Sequence, residues 1–173
     1  MDCGAFVGGF PIAASKKIDG KVFSVEPSSQ NYKCLLMNLG LHCGNNSISP
    51  INKALGESVE HKKINLTYSG CDDSIIKPNS HDKKETENIK VTTLKKLVEM
   101  ENINEDNLFV KIEAKRYEPE IVKRLGSKRP NMLTVDVTPE RNKKSPKREI
   151  KNLVFEMGYT NIINTERCIF AKR

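Results

Sequence analysis

Hydrophobic and polar positions in the first part of the chain switch between helical and strand-like spacing. Apolar residues at helical spacing over 11–17 predict a helix, whose first turn accommodates Pro11 because no N–H is needed there. The β-branched and aromatic run KVFSVEP (21–27) predicts a buried parallel strand. Ser28 or Ser29 can cap the helix that follows, which has these apolar residues on one face: Tyr32, Leu35, Leu36 and Leu39.

The same alternation continues to the end of the chain. SISPINKAL (47–55) predicts a strand weakened by Pro50, and HKKINLTYSG (61–70) alternates like an edge or hairpin strand. The mostly polar residues 72–90 show no period, so we predict a mobile loop there, with a functional lid as the second interpretation. The later predicted elements are a helix at 93–101, a strand at 107–114, a helix from Glu118 to Leu125 closed by Gly126, a strand at 131–138, a helix at 146–159 and a β-hairpin at 161–173.

Strands that alternate with helices indicate an α/β fold. Helical crossovers place successive strands in parallel, so we predict a mostly parallel sheet between two helical layers, finished by an antiparallel hairpin. No internal repeat and no linker interrupts the pattern. We therefore predict a single three-layer domain over residues 1–173.

Composition narrows the functional classes. The formal net charge of +7 suits a polyanion, but aromatics are only 6% and Trp is absent, which leaves few stacking platforms for bases. Nucleic-acid binding is therefore possible but not favoured. Five scattered cysteines without a C-x-x-C pair favour free thiols in the cytoplasm, and no apolar run is long enough for a membrane span.

A glycine turn opens the chain. Asp2, Gly4 and Gly8 form D-x-G-x-x-x-G, and Glu26 ends the next predicted strand 22 residues after Gly4. An acid at this spacing is typical of residues that bind the ribose hydroxyls of a nucleoside cofactor. The alternative is an ordinary strand-to-helix turn and a surface acid, but the combination of turn, spacing and architecture favours the cofactor.

Several motifs in order resemble the class I S-adenosylmethionine-dependent methyltransferases, and among them the FkbM family. The motifs are DCGAFVGGF, KVFSVEPSSQNYKCLLMNL, INKALG, VTTLKKL, NLFVKIEAKRYEPEIVKRLG and LTVDVTPE, which together cover nearly the whole chain. The resemblance implies a single Rossmann-like methyltransferase domain with a seven-stranded sheet. It also implies S-adenosylmethionine as the cofactor, and methyl transfer to a hydroxyl oxygen of a small molecule or a glycan.

The resemblance also assigns roles to individual residues. It implies that Glu26 accepts hydrogen bonds from the ribose hydroxyls, with Pro27 shaping the turn beside it. The acidic motif after the strand 107–113 implies catalytic roles for Glu113, Lys115 and Glu118. The other implied cofactor-binding residues are Asp2, Gly4, Ala5 and Gly8 on the methionine and ribose side, and Lys53 and Ala54 near the adenine.

The acidic motif departs from the family pattern. Glu113 replaces an Asp, Lys115 a Glu, Arg116 a Gly, and Lys95 the Asp of T-L-D, so the mouth of the site is expected to be more positive. Lys115 could act as a base only with a depressed pKa. Two explanations stay open: catalysis is weakened, or the acceptor is anionic and drawn to the new cations.

Two other functions remain open, and the sequence predicts no metal site. An RNA or DNA methyltransferase and a non-catalytic cofactor-binding domain remain as other functions. Asp72, Asp73 and His81 fit no standard set of metal ligands, so no metal is predicted. Only Met1 precedes Asp2, so the first strand is expected to be truncated and the cofactor pocket more open than in the family.

Overall fold

The computed structural model describes residues 1–43, 47–76, 83–125, 129–140 and 144–173. No helix in these ranges is both long and apolar enough to cross a membrane. The strands are β1 Asp2–Cys3, β2 Val22–Val25, β3 Ile48–Ile51, β4 Ala54–Leu55, β5 Glu60–Thr67, β6 Lys83–Thr92, β7 Phe109–Ile112, β8 Met132–Asp136, β9 Asn161–Asn164 and β10 Cys168–Lys172. The helices are α1 Gly9–Ser15, α2 Ser29–His42, α3 Leu94–Met100, α4 Glu118–Lys123 and α5 Lys147–Glu156.

The main sheet has seven strands in the order β3-β2-β1-β7-β8-β10-β9. Strands β1, β2, β3, β7 and β8 pair in parallel, and β10 runs antiparallel to both of its neighbours. This confirms the predicted sheet and its closing hairpin. The short β1 is central, with β2 on one side and β7 on the other. The strand order therefore reverses beside β1, which is where open α/β sheets bind ligands.

Helices flank the sheet and complete the α/β fold. The apolar side of α4 and α5, with Ile121, Val122, Ile150 and Val154, joins one continuous core with the inward residues of β7, β8 and β10. Helices α1 and α2 contact β2 and β3. The predicted helix at 118–125 is present as α4, and its expected cap Gly126 lies outside the described residues.

A second, three-stranded sheet has the order β4-β6-β5. The prediction of a mobile loop over 72–90 is wrong for its second half, because Lys83–Thr92 forms β6 and pairs antiparallel with β5. Residues 77–82 of that stretch lie outside the described residues. Only Ile89 and Val91 of β6 are apolar and buried, so the alternation is too short to predict a strand of this length.

The turn after β1 lies unusually close to the end of β7. Gly4 has a φ of +86°, and a Cβ atom there would lie 1.8 Å from the carbonyl oxygen of Glu113. Glycine alone accepts both this left-handed backbone and this approach. The contact brings the ends of β1 and β7 together at one edge of the sheet.

Gly4→Ala is therefore expected to destabilise the fold by about 2–4 kcal/mol, through left-handed strain and overpacking. The matched control is Gly40→Ala in α2, where an added Cβ meets nothing within 4 Å. Alanine in that exposed helix should stabilise the protein by up to about 1 kcal/mol. Urea unfolding measures both free energies, and equal effects of the two substitutions would contradict the assigned role of Gly4.

Candidate functional site

A cavity of about 390 Å³ opens at the carboxyl ends of β1, β2 and β7. Cys3 pairs with Val25 on one side and Ile112 on the other, so the three residues that follow these strands lie side by side. A cavity of this size is within the range of small-molecule sites. It brings together most of the site residues predicted from the sequence: Asp2, Gly4, Ala5, Glu26, Pro27, Lys53, Ala54, Glu113 and Lys115.

The glycine turn uses its amide hydrogens internally. Gly4 N and Ala5 N both donate to the carbonyl oxygen of Val25 at 3.0 Å, and Gly8 N donates to Ala5 O at 2.9 Å. Phe6 N donates to Glu26 Oε2 at 2.9 Å. A phosphate-binding turn needs free amide hydrogens that point at the ligand. The amides of Gly4, Ala5, Phe6 and Gly8 are already bonded within the protein, so these four are not available to a pyrophosphate.

Glu26 is a buried acid in the wall of the cavity. It is 5% exposed, and its two oxygens accept from Phe6 N and Ser28 N, each at 2.9 Å. Burial raises the pKa of Glu26 to about 7, against the lowering effect of these hydrogen bonds. Each carboxylate oxygen has a second lone pair, so Glu26 can still accept hydrogen bonds from a ligand.

Asp2, Lys111 and Glu113 form a row of alternating charge along the cavity floor. Lys111 Nζ lies 2.9 Å from Asp2 Oδ1 and 3.1 Å from Glu113 Oε2. Burial would lower the pKa of Lys111, but the two carboxylates outweigh it and raise that pKa. Burial also raises the pKa of Asp2, which Lys111 counteracts. The second oxygen of Asp2, Oδ2, is buried without a hydrogen-bond partner.

Lys115 lies in the cavity wall between two acids. Its Nζ is 3.5 Å from Glu113 Oε1 and 3.2 Å from Glu140 Oε1. Burial would lower the pKa of Lys115, but Glu140 and then Glu113 raise it above the ordinary value. Lys115 is therefore an ammonium group at neutral pH and cannot act as a base.

Burial would raise the pKa of Glu113, whereas Lys111 and Lys115 together lower it below its ordinary value. Glu113 is thus the ionised member of the altered acidic motif that lines the cavity.

The other cations of the altered motif do not line the cavity. Arg116 is buried, and its Nη2 lies 2.9 Å and 2.7 Å from the two carboxylate oxygens of Asp72. Lys95 is exposed on α3. The positive mouth expected from the sequence is therefore reduced, since Asp72 pairs with Arg116 and Glu140 with Lys115.

Two predicted site residues lie behind the cavity rather than in its wall. Glu118 is 3% exposed and accepts a hydrogen bond from Ala114 N at 2.8 Å. Burial raises the pKa of Glu118 to about 7. Gly8 has a φ of +97° and lies against Leu35, which places it at the start of α1 behind the turn.

Several cavity residues carry no sequence signal. Asn31 lies on α2 and Asp73 in the connection between β5 and β6, and both line the cavity beside Glu26. Tyr117 forms another part of the wall and accepts a hydrogen bond from Lys62 Nζ at 2.6 Å. Asn31 belongs to an ordinary helical turn in the sequence, and Asp73 lies in the stretch predicted as a loop and is considered only as a metal ligand, so neither is predicted as a residue of the cofactor site.

Metal-ligand clusters are absent from the described ranges, in which no three His, Cys, Asp or Glu side chains are grouped to hold an ion. Asp72 pairs with Arg116, and Asp73 Oδ1 accepts from Thr67 N at 2.7 Å. His81, the third residue of that candidate set, lies outside the described residues.

Comparisons with known proteins identify the fold. No protein-family model matches the chain, and no curated protein matches its sequence. A solved structure of the methyltransferase FkbM from Methylobacillus flagellatus KT is similar, with a TM-score of 0.60 and 16% identity. The match covers 98% of this chain and 42% of that one, so this chain spans less than half the length of the FkbM structure.

Two further solved structures give the same result. A precorrin-6y C5,15-methyltransferase from Geobacter metallireducens GS-15 has a TM-score of 0.55 and 13% identity, over 99% of this chain and 79% of that one. A candidate RNA methyltransferase from Pyrococcus horikoshii has a TM-score of 0.52 and 14% identity, and the match covers 99% of this chain and 71% of that one. The chain therefore has the Rossmann-like class I methyltransferase fold.

The two buried glutamates predict an unusual pH dependence of stability. In the folded state each has a pKa of about 7, above the ordinary value of 4.5. Between pH 4.5 and pH 7 the folded protein therefore keeps the two protons, whereas the unfolded chain releases them. The free energy of unfolding should therefore fall as pH rises from 4.5 to 7, by about 3 kcal/mol per carboxyl.

Glu26→Gln removes the contribution of Glu26 to this pH dependence and leaves that of Glu118. Urea unfolding of parent and variant between about pH 5 and pH 8 should show roughly half of this fall removed in the variant. At acid pH the variant should be less stable than the parent, because an amide nitrogen cannot accept one of the two backbone hydrogen bonds. An unchanged pH profile in the variant would contradict the assignment to Glu26.

Proposed function

We propose that this protein is an S-adenosylmethionine-dependent methyltransferase of the FkbM type, acting on a hydroxyl oxygen of a small molecule or glycan. The observation that carries the proposal is the cavity, in which a glycine turn with four internally bonded amides faces a buried acid, Glu26. Such a turn suits a nucleoside cofactor without phosphate groups, such as S-adenosylmethionine. A dinucleotide would instead present its pyrophosphate to the turn.

The residues of the cavity fit S-adenosylmethionine in three places. Glu26 would accept hydrogen bonds from the ribose hydroxyls on its free lone pairs, with Pro27 beside it. Lys53 and Ala54 would border the adenine. Asp2, through its unpartnered Oδ2, would accept a hydrogen bond from the ammonium group, which relieves an unsatisfied buried oxygen. Gly4 and Ala5 belong to the turn on that side, and Gly8 supports the turn from behind at the start of α1.

When bound, the cofactor supplies a methyl group on a sulfonium, which is already an activated leaving group. The residues of the chain then have to hold the acceptor oxygen in line with that methyl group. Glu113 is the ionised carboxylate placed to take the proton that the acceptor hydroxyl loses as its new C–O bond forms. Its depressed pKa makes it a weak base, so proton transfer late in the reaction is expected.

Lys115 and Glu118 have supporting roles in this proposal. Lys115, as an ammonium group, orients the Glu113 carboxylate from 3.5 Å. Glu118 holds the backbone of the turn after β7 through Ala114 N. Because Glu113 and Glu140 already neutralise Lys115, the cavity favours a neutral hydroxyl over an anionic acceptor. All five cysteines are free, which supports a place in the reducing cytoplasm.

Binding of S-adenosylhomocysteine, measured by calorimetry, tests the cofactor. Ribose hydroxyls that donate to Glu26 favour its ionised form, so affinity should rise about tenfold between pH 6 and pH 8, around a pKa of about 7. Glu26→Gln should abolish this rise and weaken binding by roughly 1.5–3 kcal/mol at the higher pH. NAD⁺ serves as the control ligand, and preference for NAD⁺ would overturn the proposed cofactor.

Transfer of a labelled methyl group to a panel of neutral and phosphorylated sugars tests the reaction. Glu113→Gln should lower kcat by roughly 10²-fold, with little change in S-adenosylhomocysteine affinity, because a general base is lost but the cofactor contacts remain. Short RNA duplexes and single strands belong in the same panel. Transfer to RNA alone would favour a nucleic-acid methyltransferase, and binding without any transfer would favour a non-catalytic domain.

A further inference from the structure

Residues 70–75, which we term the strap, form one wall of the cavity. They belong to the connection between β5 and β6 and line the cavity through Gly70, Cys71, Asp73, Ser74 and Ile75. The strap is tied to α2 through Gly70 and Asp73, and to the turn after β7 through Asp72 and Ser74. It therefore lies between a helix that flanks the main sheet and a turn at the end of one strand of that sheet.

Asn31 makes the connection to α2. Its Nδ2 donates to Gly70 O at 3.0 Å and to Asp73 Oδ2 at 3.3 Å. Gly70 has a φ of +69°, and a Cβ atom there would lie 2.7 Å from Asn31 Oδ1. The strap can therefore approach Asn31 only because residue 70 is glycine.

Arg116 makes the connection to the turn after β7. Its side chain is 6% exposed, and both oxygens of Asp72 lie within 3.0 Å of Nη2. Ser74 Oγ donates to the neighbouring carbonyl oxygen of Lys115. The two contacts fasten the middle of the strap to one short turn.

The conformation of Arg116 is unfavourable in three respects. Its φ of 78° lies in the left-handed region, its charge is buried, and its Nη1 is buried without a partner. A glycine at this position would avoid all three. A buried ion pair adds little net stability to a fold, but breaking it leaves an uncompensated charge. The Arg116–Asp72 pair therefore holds the strap in position against the turn after β7.

We propose that Arg116 is a positioning residue that holds the strap closed over the cavity through Asp72, so that bound cofactor leaves only after this pair breaks. The inference rests on the proposed function for the identity of the ligand. The position of the strap itself depends only on contacts within the protein. Arg116 touches the strap and not the cavity, so its effect on a ligand is indirect.

Two variants and one control test the proposal. Asp72→Asn removes the charge from the strap side, and Arg116→Gly removes the side chain together with the backbone strain. Asp106→Asn is the matched control, because Asp106 pairs with Arg173 at 2.6 Å at the opposite edge of the sheet. The measurements are hydrogen–deuterium exchange of peptides covering 70–76 without ligand, and the dissociation rate of S-adenosylhomocysteine by stopped flow.

We expect both variants to exchange the Ser74 amide, which bonds Asn65 O at 3.0 Å, about tenfold faster than the parent and the control. Dissociation of S-adenosylhomocysteine should accelerate by a similar factor. The double variant should match the faster single variant, since both remove one interaction. Arg116→Gly should keep its global stability better than Asp72→Asn, because the carboxylate it leaves unpaired is 31% exposed, whereas Asp72→Asn leaves a guanidinium that is only 6% exposed without its partner charge.

Two results would overturn the proposal. Unchanged exchange in both variants would show that the pair does not hold the strap. Faster exchange with an unchanged dissociation rate would show that the strap does not retain the cofactor. If the parent binds no S-adenosylhomocysteine, the proposed function fails together with the cofactor half of the inference, and the exchange data alone decide whether Arg116 positions the strap.

Discussion

The close approach of Gly4 to the carbonyl oxygen of Glu113 determines the geometry of the whole site. It joins the ends of β1 and β7, and the residues beyond those ends form the glycine turn and the altered acidic motif. Because β1 is two residues long, few ladder hydrogen bonds hold it in register. Lys111 adds to them by pairing with Asp2 from β7. One backbone contact and one ion pair thus place the two halves of the cavity.

Charge compensation explains how the chain tolerates basic residues where its family resemblance leads one to expect Glu and Gly. Lys115 is neutralised by Glu113 and Glu140, and Arg116 by Asp72. Two of these acids lie in other segments, one in the strap and one after β8. The basic residues of the altered motif therefore add little net charge to the site. Their larger effect is to tie two other segments to it, the strap and the segment after β8.

The sequence predicts the sheet and its closing hairpin, because these depend on local periodicity. Its short motifs also pick out residues such as Gly4, Glu26 and Glu113, which the structure brings together in one cavity. The sequence does not predict β6, since Ile89 and Val91 are the buried apolar residues in an otherwise polar strand. It also does not reveal that Arg116 points away from the cavity. That direction follows from a φ of 78° and from Asp72, which is 44 positions earlier in the chain. Long-range contacts of this kind leave no local pattern.

Glu26 links the stability of the fold to the chemistry of the site. Its two backbone hydrogen bonds tie the glycine turn to the first residues after β2, so the acid is part of the fold before any ligand arrives. Burial keeps its pKa near 7, and its ionised form is therefore costly in the empty cavity. Hydrogen-bond donors from a ligand would stabilise that form. Binding of such a ligand and deprotonation of Glu26 would then be coupled, and the ligand would restore the stability that is lost at neutral pH.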